Sequence, residues 1–288
     1  MQKDSKAVGH CSLGELHNRK LPQVEFFLGI QTKGVAGEKC FSIVKGIGSL
    51  STAAKVSSDL RALADKEVAR TRAWFFKTAK GEYGFGDVFL GIEVPKLRKV
   101  AKAHLNLSLT QIKKLSASKF HEERFVGLVI LVLQFQKTKD NAKKKLIFDT
   151  YTELLKTNRV NNWDLVDVTA PYLGVYLLDY SGSAVLLSKY SKSKNLWEQR
   201  ASIMFTWAFI RAGRLDVATS QIALFLDHPH DLIHKAGGWM LREVGKKNIA
   251  VLRQFLKLHA ATMPRVMLRY SIEKLTPSER AKWLAKKA

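Results

Sequence analysis

The sequence predicts an all-α protein, and three observations carry the prediction. Apolar residues recur near a 3.6-residue period from about Ser57 onward. Few stretches alternate with period two, so strands have little support. Helical stretches also repeat loosely: a basic residue precedes an apolar run at Arg124, Arg200, Lys235 and Arg265, at steps of 76, 35 and 30 residues. That spacing fits helical-repeat solenoids, in which each helix pair buries its apolar face on the next. A compact helical bundle shares it.

The first ~50 residues read differently from the rest. They hold seven of the 18 glycines and sustain no helical period, which predicts a poorly structured extension over 1–56 and a helical domain over 57–288. KGIGSLS is glycine-rich but lacks the GxxxxGK[ST] spacing that wraps a phosphate. Ser57 and Ser58 are N-cap residue types ahead of DLRALADKEVARTRAWFF. GEYGFGDVFLGI, 81–92, interrupts the helical texture, and VPKLRKVAKAHL resumes it with Pro95 in a first turn. Helical stretches then follow one another to the C-terminus. Those starting near Phe125 and Ala201 are apolar nearly all round, as inner layers of a stack must be.

Composition bounds the function. The chain has 288 residues, 46% hydrophobic and 10% aromatic, which excludes a disordered basic tail. The formal net charge is +23, spread as +7, +7 and +9 over residues 1–100, 101–200 and 201–288. Solubility needs far less charge, so a polyanionic partner, nucleic acid before all, is favoured. The longest apolar run, Phe125 to Leu133, falls well short of the ~20 residues that span a bilayer. No secretory h-region is visible, and Cys11 and Cys40 are too few for a disulfide framework. A cytoplasmic protein without membrane contact is expected.

The densest cluster of unusual residues is NNWDLVDVTAPYLG, 161–174. Asn161 or Asn162 can cap a helix, Asp164 suits its first turn, and Pro171 bends or restarts it. Trp163 and Asp167 are four apart and share one face. Spacing alone also allows a packing anchor and a second dipole partner. LWEQRA sets Trp197 and Arg200 at a helix start, and Gly237–Gly238 before Trp239 suits close approach of a ligand or of another helix. His228, His230 and His234 have no cysteine or clustered carboxylate to complete a metal site and read as loop or capping residues. Tyr172, Tyr176 and Tyr180 read as core and rim. The Lys143–Lys145 run, Lys189/Lys192/Lys194 and Lys246/Lys247 flank helix ends, where they can meet phosphates.

WFFKTAKGEYGFGDVFLGIEVPKLRKVAK, NNWDLVD, LWEQRA, HDLIHKAGGWMLREVGKKN and MPRVMLRYSIEKL, in that order over about 57–276, resemble the AlkD-like family of DNA alkylation repair glycosylases. The resemblance implies a right-handed α-solenoid of HEAT-like repeats with a concave basic face for duplex DNA. It implies hydrolysis of the N-glycosidic bond of cationic 3-alkyladenine and 7-alkylguanine, the first step of base excision repair. The family's catalytic aspartate falls on Asp167, its lesion-flanking tryptophans on Trp163 and Trp239, and its DNA-backbone arginine on Arg200. Lys235, Arg242 and Tyr83 are further expected DNA contacts. Where the family's best-known branch has a tyrosine shortly before FLGI, this chain has Phe75 or Phe76 and an inserted loop carrying Tyr83. No metal or cofactor is expected, and a monomer in the bacterial cytosol or nucleoid is.

The chemistry suits these residue types. An alkylated purine is already cationic and leaves as a neutral base without a general acid, so one carboxylate suffices where most sugar hydrolases use two. A carboxylate ~4 Å from the developing oxocarbenium ion, at an effective dielectric of ~20, contributes about 4 kcal/mol, roughly a thousandfold in rate. Indole faces attract a cationic base or sugar by about 0.5–2 kcal/mol each. The rival reading is a non-catalytic helical-repeat scaffold for nucleic acid or protein, which has no need of such a constellation.

Overall fold

A computed structural model describes residues 51–286; of the expected poorly structured extension 1–56, residues 1–50 lie outside the described residues and 53–56 belong to a helix. Regular structure among the described residues is helical, apart from an isolated bridge between Val88 and Phe120. The α-helices are α1 (Ala53–Arg61), α2 (Lys66–Phe75), α3 (Val94–Ala103), α4 (Leu109–Ser116), α5 (His121–Lys137), α6 (Asn141–Lys156), α7 (Trp163–Asp167) and α8 (Ala170–Leu173). A 3-10 turn (Gly174–Leu178) leads on to α9 (Ser183–Ser191), α10 (Leu196–Arg211), α11 (Leu215–Ala223) and α12 (Asp231–Lys247). The chain closes with α13 (Ile249–His259), α14 (Arg265–Ser271) and α15 (Pro277–Leu284).

The start of the helical body corrects one expectation. α1 opens at Ala53, where the Thr52 hydroxyl accepts the Lys55 N–H at 3.2 Å, so Ser57 and Ser58 lie inside a helix and cap nothing. The apolar face starts earlier than the periodicity around Leu60 suggests, because Val56 and Leu60 are i,i+4 partners and both are buried. The following stretch is also two helices. The Asp65 carboxylate accepts the N–H groups of Glu67 and Val68 and starts α2 afresh.

Three long helices form the inner layer. α5 is buried at every position from His121 to Val132, and α10 at nearly every position from Arg200 to Ile210, as their all-round apolarity requires. α5 packs on α3, α4 and α6; α10 on α8, α9, α11 and α12; α12 on α10, α11, α13 and α14. Helices thus meet mainly their chain neighbours, the pattern of a helical-repeat solenoid. Gly237 and Gly238 belong to this packing: a Cβ on Gly238 would stand 2.5 Å from the Met267 carbonyl oxygen, so α14 lies directly on α12. The alternative explanation of the pair, a ligand approaching the backbone, is not needed.

The short α7–α8 segment contacts both α5 and α10. Asn162 caps α7, its side-chain oxygen accepting the Trp163 N–H at 2.9 Å, and Pro171 restarts the chain in α8. The first turns of α5 and α10 therefore flank the residues of NNWDLVD.

Candidate active site

Asp167 closes α7 and is 2% exposed. Its two carboxylate oxygens accept from Arg200, Nε at 2.9 Å and Nη2 at 2.8 Å. The remaining Arg200 nitrogen donates to the Leu232 carbonyl at the start of α12. Burial pushes the Asp167 carboxyl above the ordinary carboxylate value, and the Arg200 charge and hydrogen bonds oppose that push. A bidentate guanidinium, which never gives up its proton, favours the charged form of the carboxylate against that burial. Arg200 itself is 4% exposed and fully engaged. The side chain expected on a DNA phosphate is, in this structure, the partner of Asp167. The reason lies in its position: Arg200 opens the stretch of α10 that is buried at nearly every position.

Trp163, one turn before Asp167, is half-buried. Phe76 stacks on it at 5.2 Å with an interplanar angle of 9°, and Phe75 meets it edge-on at 6.1 Å. Tyr83 comes to the same place from the inserted loop. The Trp163 indole N–H donates to its hydroxyl, and its ring lies edge-on to Trp197 at 6.1 Å and to His230 at 6.4 Å. Burial raises the Tyr83 pKa, so the phenol is neutral at physiological pH. Glycine permits this approach: a Cβ on Gly84 would stand 2.2 Å from the Phe76 carbonyl oxygen. Trp163, Asp167, Arg200 and Tyr83 are thus brought together.

The other expected site residues lie on α12. Trp239 is 6% exposed, in the packed face of α12. Arg242 is 7% exposed and paired with Glu273, with Glu243 at 3.6 Å, so it too points inward instead of to a phosphate. Lys235 pairs with Asp231 at 2.5 Å, one turn back on α12, and keeps partial exposure. The histidines act structurally. His230 caps α12 by accepting the Leu232 N–H at 3.1 Å, His228 meets Gln199 at 3.0 Å, and His234 bonds the His228 carbonyl. Among the described residues, no group of three or more His, Cys, Asp and Glu side chains gathers to hold a metal ion.

Sequence reasoning missed a second charged cluster, where α7 meets the start of α5. Asp164 is 4% exposed, not a solvated first-turn residue, and its Oδ2 lies 2.8 Å from His121 Nε2. The other ring nitrogen, Nδ1, lies 3.1 Å from Asp87 Oδ2. Asp87 also accepts from Arg124 at 2.5 Å and from the side-chain amides of Asn161 and Asn162, each at 3.1 Å. Burial lowers the His121 pKa, but the two carboxylates outweigh it and carry the value to about 9. Burial likewise pushes Asp87 up, and His121, Arg124 and Asn162 reverse it to about 2. The signal was present: four polar first-turn residues, His121 to Arg124, ahead of an apolar buried helix. Glu122 between them anchors the preceding segment by accepting the N–H groups of Leu90, Gly91 and Ile92 at 2.8, 2.9 and 3.3 Å.

The family model for the DNA alkylation repair enzyme matches residues 56–275. The chain belongs to the DNA alkylation repair enzyme family. Membership makes DNA repair its general function and DNA its substrate class. A solved structure described as a predicted DNA alkylation repair enzyme from Enterococcus faecalis is similar at a TM-score of 0.61, covering 80% of this chain and 100% of that one. At 17% identity the likeness is one of fold. Among curated proteins none matches. No helix among the described residues is long and apolar enough to cross a membrane.

Proposed function

We propose that this protein is a monofunctional DNA glycosylase that releases cationic 3-alkyladenine and 7-alkylguanine from duplex DNA. The observation that carries the reading is a buried aspartate, Asp167, held on both oxygens by the Arg200 guanidinium and standing on the same short helix that presents a half-buried indole. Breaking the C1′–N bond sends its electron pair into the purine, whose positive charge it cancels. The deoxyribose becomes an oxocarbenium ion, which a prepositioned carboxylate stabilises. Water adds to C1′ and loses a proton, leaving an abasic site. No acid is needed for the leaving group.

In this reading Arg200 acts through Asp167, holding it charged and oriented. Trp163 and Tyr83 supply the aromatic surface that meets the lesion, Tyr83 taking the place of the family's tyrosine. Trp239 and Arg242 support α12, and Lys235 with the exposed lysines near helix ends contacts phosphates. The protein acts as a monomer on duplex DNA in the bacterial cytosol or nucleoid, in the first step of base excision repair. Residues 1–50 stand outside this machinery.

The test is base release from a duplex carrying 7-methylguanine or 3-methyladenine, read by mass spectrometry of the free base. Free base with intact, abasic strands supports the reading. Binding to the duplex without release favours the scaffold reading, which gains some support from the full engagement of the Asp167 oxygens with Arg200.

A further inference from the structure

The His121 cluster takes no part in the reaction just proposed, yet it joins two pieces of chain that the candidate site needs in register. Asp87 ends the loop that carries Tyr83, and Asp164 sits beside Trp163 on α7. His121 stands between them with one ring nitrogen on each carboxylate, 2% exposed. Phe89 stacks on its ring at 4.6 Å and Phe76 lies at 5.1 Å, the two phenyl rings being themselves stacked at 5.0 Å. Phe76 in turn stacks on Trp163, so a continuous column of rings runs from His121 to the candidate site.

We propose that His121 is a positioning residue: by bridging Asp87 and Asp164 it fastens the 81–89 loop to α7 and holds Tyr83 against Trp163. The effect on rate rests on the glycosylase reading; the structural part does not.

The two ends of the bridge are unequally supported. Asp87 keeps Arg124, Asn161 and Asn162 when His121 is removed. Asp164 has no such reserve, because its Oδ1 is buried without a hydrogen-bond partner. A buried carboxylate that loses its cation must protonate or turn toward water. Either response shifts the first turn of α7, where Trp163 is the neighbouring residue, and loosens the Tyr83 contact.

The bridge is also pH-dependent. The charged groups facing His121 are Asp87 from the loop, Asp164 from α7 and Arg124 from its own helix. Phe76 and Phe89 contribute only rings, and Glu122 is turned to the Leu90–Ile92 amides. With its pKa carried to about 9, the imidazole donates from both nitrogens at neutral pH and gives up one of those bonds as pH rises through that value.

The experiment follows the Trp163 indole N–H by 15N NMR, assigned with Trp163→Phe, in the wild-type chain, His121→Gln and Tyr83→Phe. Single-turnover release from a 7-methylguanine duplex and duplex affinity are measured on the same proteins. His121→Gln is expected to move the Trp163 resonance, as Tyr83→Phe does, and to slow release by about ten- to a hundredfold while affinity holds within about threefold. An unmoved resonance, or release lost with the resonance in place, overturns the proposal. Should His121→Gln fail to fold, the wild-type titration decides: the Trp163 resonance must follow His121 near pH 9, and a His121 titration that leaves Trp163 still overturns it. If the wild type releases no base, the glycosylase reading fails alone, and the resonance still decides the bridge.

Discussion

Asp164 and Asp167 leave the same five-residue helix, are both almost wholly buried, and are held in different ways. Asp167 meets a guanidinium that covers both its oxygens. Asp164 meets an imidazole on one oxygen and keeps the other without a partner. Each cluster balances its charges, two carboxylates against His121 and Arg124, one against Arg200, as a low-dielectric interior demands. The difference is in what can titrate. Arginine keeps its proton at any accessible pH, so the cation of the Asp167 pair is fixed. The histidine of the Asp164 cluster can lose its proton, so that cluster is a fastening with a pH limit.

The largest expected effect is on the fixed pair. Arg200→Ala leaves Asp167 as an unpaired buried carboxylate and should cost about 3–5 kcal/mol of stability by urea denaturation, along with the catalytic rate. Arg200→Lys, which cannot form the two-pronged contact, should fall between. If Arg200→Ala instead spares stability and rate and flattens the salt dependence of DNA binding by about one unit, Arg200 is a phosphate contact after all.

In the His121 cluster, Asp164→Asn should cost about 1–3 kcal/mol at pH 7, more than an exposed first-turn residue forfeits. The loss should shrink as pH rises through about 9, where His121 gives up its proton. A substitution without cost would show that the bridge contributes nothing.

The wild-type protein sharpens the contrast by itself. The folded pKa of His121, about 9, lies above its ordinary 6.5, so its contribution is fully present below about 6.5 and is lost as pH rises through 9. Asp87 works in the opposite sense: its pKa is lowered to about 2, so its contribution is present above the ordinary 3.8 and is lost as pH falls through 2. Urea midpoints should therefore hold from about pH 4 to 6.5 and decline toward 9. A decline at alkaline pH that survives in His121→Gln would come from another group.

These contrasts mark what the sequence made legible. The 3.6-residue period gave the helices, and all-round apolarity marked α5 and α10 as inner layers. NNWDLVD gave the cap, the break at Pro171 and the shared face of Trp163 and Asp167, because those depend on near neighbours in the chain. The direction of a first-turn arginine does not. Arg200 and Arg242 read as surface cations, and only the stacking of helices turns them inward. Asp87, His121 and Asp164 are 34 and 43 residues apart, and each alone is an ordinary loop or helix-start residue. Tyr83 was legible as a candidate, while its contact with Trp163 depends on Gly84 nesting against the end of α2.

The smallest effect expected concerns the exposed lysines, which neither cluster uses. If they and Lys235 neutralise about five to eight phosphates, log K against log[salt] for duplex DNA should slope about −4.5 to −7. Arg242→Ala, inward and paired with Glu273, should lower stability without changing that slope. A flat salt response would remove duplex DNA as the partner of the basic surface.

The most direct test is single-turnover release of 7-methylguanine from a methylated duplex by the wild type and by Asp167→Asn, at a temperature where both are folded. Asparagine keeps the size and part of the hydrogen bonding and removes the charge. Release should fall by roughly ten- to a thousandfold, with DNA affinity unchanged or slightly higher. Equal rates from the two proteins would contradict the account, since Asp167 would then be only the structural partner of Arg200.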